Sequence, residues 1–143
     1  FETRLIIEPN TAAMAAVRAT PDEIKAIGDA YDSMENAEPG TEAVYLTDLD
    51  FHQNILNASG NDFMKSFGML IETALIGSFR LSSGGPAPHV QSLPDHQAVF
   101  AAISHRDPEE ARSTMHKLLR RTMRQLRHQL GMSVEHDWDQ IGL

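Results

Sequence analysis

The fold is indicated most clearly by residues 107–130, which read DPEEARSTMHKLLRRTMRQLRHQL. Asp107 is a helix-capping residue type, Pro108 suits a first helical position, and two acidic residues follow, as helix N-termini prefer. In the following stretch, residues suited to an inward-facing helix face recur every three or four positions. They are Ala111, Met115, Leu118, Leu119, Thr122, Met123 and Leu126. This pattern predicts a long amphipathic helix with one face in a core.

The same spacing of apolar residues extends outward along most of the chain, and strand-like alternation is almost absent. The chain therefore belongs to the all-α class, and we expect an antiparallel bundle of about six helices. Thr20-Pro21 and, less clearly, Ser92-Leu93-Pro94 mark two further helix starts. A loop is expected at 82–88, because this stretch reads SSGGPAP. The expected helices lie near 1–18, 21–36, 40–58, 61–81, 93–105 and 108–130.

The composition indicates one intracellular domain. A chain of 143 residues, 41% of them hydrophobic, suffices for one core. We assign 1–130 to the domain and 131–143 to a tail. The absence of cysteine excludes a disulfide framework and a thiolate metal site, and no apolar run reaches the length of a membrane span. We expect a cytoplasmic protein, and Phe1 in place of an initiating Met suggests a piece of a longer chain.

The net charge of −8 argues against binding of a nucleic-acid backbone by this domain alone. Basic residues nevertheless crowd the last predicted helix, at Arg112, Lys117, Arg120, Arg121, Arg124 and Arg127. These residues fit a solvated helix face, with cations near a helix C-terminus. A nucleic-acid contact through the same helix is the alternative interpretation.

Two short patterns contain residues suited to binding. Asp48 and His52 lie four positions apart, which places a carboxylate and an imidazole one helical turn apart on the same face. Such a pair is also common as a surface hydrogen bond. Phe51 and its apolar neighbours place this turn near the core boundary, and His96 lies at a similar boundary. A lone histidine there is also typical of a buried side chain with a structural hydrogen bond.

Several motifs together resemble one family. Their order is Asp48-x-x-Phe51-His52, then Ala58-Ser59-Gly60-Asn61, then Ser92-x-x-Asp95-His96, then Ala102-Ile103 and Asp107, after an opening Arg4-Leu5-Ile6-Ile7-Glu8-Pro9. This order and spacing resemble the FCD domain, the C-terminal domain of FadR-type regulators of the GntR family. The resemblance runs from about residue 1 to residue 126, nearly the whole chain.

The resemblance implies a homodimeric bundle with an interior pocket for a small carboxylate effector, often beside a divalent metal such as zinc, nickel or manganese. Effector binding would control an N-terminal winged helix-turn-helix that lies outside this sequence, so DNA would be bound only through that domain. The implied metal ligands here are Asp48, His52 and His96, and in a site without metal the same three residues would hydrogen-bond directly to a polyhydroxylated effector. The family's fourth ligand position falls on Leu118, and we expect the nearby His116 to be exposed, since it lies roughly 200° around the helix.

Four residues are candidates for effector binding. Arg4 and Arg80 suit a carboxylate, because a guanidinium meets it with two parallel hydrogen bonds. Both also suit surface ion pairs. Ser92 and Asn61 would add polar contacts, although each also suits a helix cap. The Ala102-Ile103-x-His105-x-Asp107 segment and the missing fourth histidine resemble the branch that senses sugar acids such as galactonate.

The same residues also fit two functions other than that of a regulator. A metal-dependent hydrolase or lyase would use the same Asp and His residues and a bound water. No nucleophile motif and no spaced general base accompany them, so we expect no enzymatic activity. The other alternative is a purely structural interaction module, in which the pocket binds nothing.

Overall fold

The helix boundaries follow local capping signals over most of the chain. The computed structural model describes residues 2–82 and 87–131, without the side chains of residues 74–75, 78–82 and 87–89. No strand occurs in these described ranges, which confirms the all-α class. The helices are α1 (Glu2–Arg18), α2 (Pro21–Glu35), α3 (Glu42–Ala58), α4 (Asp62–Ser66), α5 (Gly68–Ser82), α6 (Ala87–Ser104) and α7 (Pro108–Gln129).

Two predicted helix starts are confirmed with their caps. The Glu23 backbone N–H donates to Thr20 Oγ1 (3.2 Å), and the Thr20 N–H donates to Glu23 Oε2 (2.8 Å), which closes a capping box at α2. At α7 the Asp107 carboxylate accepts from the Glu110 N–H at 3.0 Å. Each cap satisfies a backbone donor that no helical carbonyl reaches, so these two starts are set locally.

Two predicted boundaries are wrong. Helix α6 begins at Ala87 rather than near residue 93, and Pro94 lies inside it. Ser82 ends α5 and Pro88 lies in α6, so the loop expected at 82–88 is wrong at both ends, while 83–86 lie outside the described residues. Packing against α7 and α2 holds α6 together, which overrides the helix-breaking tendency of proline.

The expected helix at 61–81 is also divided. Helix α4 is a single short turn that ends before Phe67, and α5 begins at Gly68. Glycine is among the weakest helix formers, and a break beside it costs little. The bundle therefore contains one short additional helix that the apolar spacing alone did not reveal.

The main core is formed by α1, α2, α6 and α7 together with the C-terminal half of α3. Helix α1 packs along α7, and α6 packs on another side of α7. Small side chains on α1 allow the backbones to approach closely. The core includes Ala12, Ala15, Ala16, Phe51, Val99, Ile103, Met115, Leu118 and Leu119. This packing places the inner faces of α1, α3 and α6 around one interior region. Among the described helices, none has the length and apolar character that a membrane span requires.

Arg106 connects the end of α1 to the start of α7. Its Nη1 donates to the carbonyl of Ala19 at 2.6 Å and lies 3.4 Å from that of Ala16. These carbonyls lie at the C-terminal end of α1, where helical N–H partners run out. Because Arg106 precedes α7, the two helices run antiparallel. Arg106 adopts a φ of 59°, in the left-handed region that non-glycine residues rarely occupy.

Replacement of Arg106 by Leu should lower the free energy of unfolding by about 1 to 2 kcal/mol, because charged hydrogen bonds to two terminal carbonyls are lost while the strained φ remains. Urea denaturation followed by circular dichroism measures this change. Arg124→Leu, at an exposed position of α7, is the matched control and should change stability by less than about 0.5 kcal/mol. Equal effects of the two variants would refute the capping role.

Candidate functional site

Helices α1, α3 and α6 bring five ionisable side chains together in the interior. Helix α1 contributes Arg4 and Glu8, α3 contributes Asp48 and His52, and α6 contributes His96. The side chain of Asp48 is 23% exposed, whereas the other four are 4% exposed or less. Charged groups of this kind are rarely buried unless they pair with one another or bind a ligand.

The three residues predicted to bind metal lie together. His96 Nε2 is 3.0 Å and His52 Nε2 is 4.0 Å from the same Asp48 Oδ1, and the two imidazole centroids are 5.6 Å apart. One candidate ligand atom from each residue lies within 4.8 Å of the others. Asp48 and His52 share a helix face, and the packing of α6 adds the third group. Their role as ligands stays a prediction.

The outer hydrogen bonds indicate which ring nitrogens carry hydrogen. His96 Nδ1 lies 2.9 Å from the backbone carbonyl oxygen of Ser92, which only accepts, so Nδ1 donates. His52 Nε2 lies 3.3 Å from Arg4 Nη2, which only donates, so this nitrogen accepts. In neutral rings, both imidazoles therefore carry hydrogen on Nδ1 and have a lone pair on Nε2. Both lone pairs belong to nitrogens near Asp48.

This arrangement suits a cation. His96 Nε2 and Asp48 Oδ1 are both acceptors at 3.0 Å, and they form no hydrogen bond with each other. Two acceptors this close repel unless a cation or a proton lies beside both. Donors bound to one tetrahedral zinc ion at about 2.1 Å lie about 3.4 Å apart, so a pair of candidate ligand atoms separated by 4.8 Å would have to close by about 1.4 Å. The donor set of two imidazoles and one carboxylate fits zinc, nickel or manganese.

Glu8 is the member of the cluster that the sequence interpretation missed. Its carboxylate accepts from Arg4 Nε, and its Oε2 lies 2.6 Å from His52 Nδ1. The contact with His52 is short but bent, since the oxygen lies out of line with the ring N–H. A signal was present in the sequence. Arg4 and Glu8 are four residues apart on the face of α1 that also buries Leu5 and Ala12.

The two carboxylates of the cluster are held ionised. Burial raises the pKa of Glu8, but the positive charge of Arg4, the hydrogen bond from Arg4 and the close contact with His52 lower it to about 2. Burial also raises the pKa of Asp48, but the close contact with His96 and the neighbouring His52 and Arg4 hold that pKa well below its ordinary value. The interior therefore contains two negative charges and the positive charge of Arg4.

The other effector candidates have different surroundings. Arg4 is buried against Glu8 and lies beside His52, so it borders the site. Ser92, one turn before His96, accepts from that imidazole through its backbone carbonyl. Asn61 caps α4, where its side chain accepts from the backbone N–H of Phe63. The Arg80 side chain lies outside the described residues. Effector contacts through all four candidates stay predictions.

Helix α7 contributes no histidine to the cluster that the described residues form. Leu118 occupies the position at which the family resemblance places a fourth ligand. Leu118 is buried in the main core. His116 was expected to be exposed but is half-buried, because α7 packs against both α1 and α6 and buries a wider face than the apolar stripe. Burial lowers the pKa of His116, and the positive charges of Arg120 and Arg112 lower it further.

Several cations of α7 make ion pairs within the chain. Arg121 Nη1 lies 2.9 Å and Lys117 Nζ lies 3.7 Å from the buried Asp95 carboxylate of α6. Arg112 Nη1 lies 2.9 Å from Glu109 one turn earlier. The basic stretch was interpreted as a solvated helix face, whereas three of its cations pair with acidic residues of the chain.

Comparison with known proteins identifies one matching domain family and several similar transcription regulators. Residues 1–136 match the FCD domain. The galactonate operon transcriptional repressor of Escherichia coli (strain K12) is 28% identical over 127 residues, which cover 88% of this chain and 56% of that protein. The putative L-lactate dehydrogenase operon regulatory protein of the same organism is 30% identical over 119 residues, covering 80% of this chain and 45% of the relative.

A solved structure agrees with these relatives. The structure described as Streptococcus agalactiae GntR has a TM-score of 0.66 and 26% identity, covering 87% of this chain and 56% of that one. This chain thus spans about half the length of the curated relatives it matches. The similarity in fold confirms an all-α domain of this type.

The lowered pKa of Glu8 predicts a specific acid sensitivity of the metal-free protein. Its folded pKa of about 2 lies below the ordinary 4.5. The carboxylate therefore stabilises the fold at pH values above 4.5, and this contribution is lost as the pH falls from 4.5 toward 2. Urea unfolding at pH 6 and pH 3 should show a smaller acid loss in Glu8→Gln than in the parent. The same pH dependence in both proteins would contradict the assignment.

Proposed function

Since the chain belongs to the FCD domain family, we propose that it is the effector-binding and dimerisation domain of a bacterial transcription regulator of the GntR family. In this proposal it controls DNA binding by a domain that lies elsewhere in the whole protein. The observation that carries the proposal is the buried cluster, in which two imidazole lone pairs and a carboxylate oxygen lie around one point of the core. Such a cluster suits binding of a small charged ligand better than it suits folding.

Asp48, His52 and His96 would hold a divalent metal, namely zinc, nickel or manganese. Three protein donors leave at least one coordination position open. When bound, the metal would supply positive charge and an attachment point for an effector oxygen. Leu118 offers no donor at the position where the family resemblance places a fourth ligand, so the metal affinity would be lower than that of a four-ligand site.

The charge of the cluster favours an anionic effector. With neutral imidazoles, Arg4 contributes one positive charge and Glu8 with Asp48 two negative charges, a net charge of −1. A divalent cation would change this to +1. A monocarboxylate would then neutralise a site in which charge is costly to leave uncompensated. The hydroxyl groups of a sugar acid would suit the remaining polar groups.

Galactonate is the first effector to test, because the similar Escherichia coli protein is named as the repressor of the galactonate operon. Arg4 would contribute directly to binding of such an acid. Its guanidinium lies beside His52 Nε2, the nitrogen proposed to bind metal. The same guanidinium group would then lie beside the bound metal and donate hydrogen bonds to the carboxylate of the effector.

Replacement of His52 by Ala should remove most of the affinity for Zn²⁺, and binding of galactonate should weaken with it, because one of three donors is lost and the effector loses its attachment point. Calorimetric titrations with ZnCl₂, and with galactonate at saturating Zn²⁺, measure both. His105→Ala, at an exposed position after α6, is the matched control and should leave both affinities unchanged.

Two outcomes would alter the proposal. If chelator-treated protein binds galactonate as tightly as the Zn²⁺-loaded protein, the cluster binds the effector without a metal. If galactonate is converted to a product during incubation, the protein is an enzyme, since a regulator releases its effector unchanged. Chromatography of the recovered acid distinguishes release from turnover.

Dimerisation has separate support from the surface. Phe63 is 81% exposed, Met69 76% and Leu70 55%, and these apolar residues lie on or just after the short helix α4. Large neighbouring apolar side chains on a surface favour a protein contact. Light scattering at micromolar concentration should give twice the 15.9 kDa of one chain. Phe63→Ser should shift this mass toward one chain, and a parent protein with the monomer mass would contradict the proposal.

A further inference from the structure

Glu8 is a fully buried carboxylate that the proposed function does not use. It is outside the group of potential metal ligands formed by Asp48, His52 and His96. One of its oxygens accepts from Arg4 Nε, and the other lies 2.6 Å from His52 Nδ1. One oxygen is thus engaged with Arg4, and the other lies at His52 Nδ1, which is not the ring nitrogen near Asp48. A group in this place acts on His52 rather than on a ligand.

We propose that Glu8 is the positioning residue of this site, and that it holds His52 in the tautomer that carries hydrogen on Nδ1 and keeps Nε2 available as a donor to metal or effector. The inference rests on the proposed function of the cluster. Under this proposal, a residue of α1 sets the tautomer of His52, a candidate metal ligand on α3.

The first argument is the distance. At 2.6 Å, a ring nitrogen without hydrogen would face an anionic oxygen with its own lone pair, which is strongly repulsive. Glu8 pairs with Arg4, a group that stays protonated, and therefore remains a carboxylate that only accepts. His52 Nδ1 must then carry the hydrogen despite the bent contact.

The second argument concerns what happens to the other partner of His52. Arg4 Nη2 donates to Nε2 at 3.3 Å and favours the same tautomer while that contact lasts. A metal bound at Nε2 would take the lone pair that Arg4 now uses. Glu8 would then be left as the partner that sets the tautomer and the orientation of the ring. Carboxylates in this outer position also raise the basicity of a ligating imidazole.

The variant Glu8→Gln tests the role with little change of shape. A glutamine offers either its oxygen or its NH₂ group to Nδ1, so it accepts a hydrogen or donates one and no longer selects a tautomer. Long-range ¹H–¹⁵N NMR spectra of metal-free protein report the tautomer of each histidine. We expect one Nδ1–H form of His52 in the parent and a mixture in the variant. Calorimetry with ZnCl₂ should show a loss of affinity of about 10- to 100-fold.

Glu23→Gln is the matched control, because it removes the same charge from the capping box of α2, outside the cluster. It should leave the His52 tautomer and the Zn²⁺ affinity unchanged. His96 provides an internal control, since its tautomer is set by the Ser92 carbonyl and should be the same in all three proteins.

The outcomes separate this inference from the proposed function. A parent protein with His52 as Nδ1–H but without Zn²⁺ affinity refutes the metal and supports the role of Glu8. A parent that binds Zn²⁺ with the same tautomer and affinity as Glu8→Gln overturns the role of Glu8 and leaves the metal in place. If Glu8→Gln does not fold, the parent spectrum decides, because His52 protonated on Nε2 would also overturn the inference.

Discussion

The ion pair of Arg4 and Glu8 is the interaction on which the interior depends. Both side chains are buried, and either one without the other would leave an uncompensated charge at a cost of several kcal/mol, of order 3 to 5 by analogy with other buried pairs. Because the two residues lie one turn apart on α1, their compensation needs no tertiary contact. The same two side chains can therefore also contact His52 of α3. A pair that is local in sequence thereby fixes the chemistry of a residue on another helix.

The features that the sequence predicted well depend on neighbours along the chain. The starts of α2 and α7 follow from Thr20 and Asp107, whose caps act within three residues. Asp48 and His52 were placed together because residues four apart share a helix face. The convergence of His96 with them required the family resemblance, since nothing in the local pattern states which helix packs on which.

The features that were missed or wrong depend on tertiary packing. Pro94 indicated a helix start, yet α6 continues through it because its contacts with α7 and α2 outweigh the lost backbone hydrogen bond. His116 was expected on the surface but is half-buried, because the packing of α7 against its neighbouring helices covers more than the apolar stripe. Glu8 was visible as a charge on an apolar helix face. Its contact with His52, however, exists only once α1 lies against α3.

The absence of a fourth donor at Leu118 has a thermodynamic consequence for a site of this composition. Three donors hold a metal less tightly than four, and the ion would bring the net charge of the cluster from −1 to +1 next to the buried Arg4. An anionic effector that completes the coordination would both strengthen metal binding and neutralise the net charge of +1. Coupling between two ligands is reciprocal, so an effector that tightens metal binding is itself bound more tightly when metal is present. A four-donor site would hold its metal whether or not effector is present, whereas the proposed three-donor site would link the two occupancies, so that metal availability and effector concentration would act as one signal.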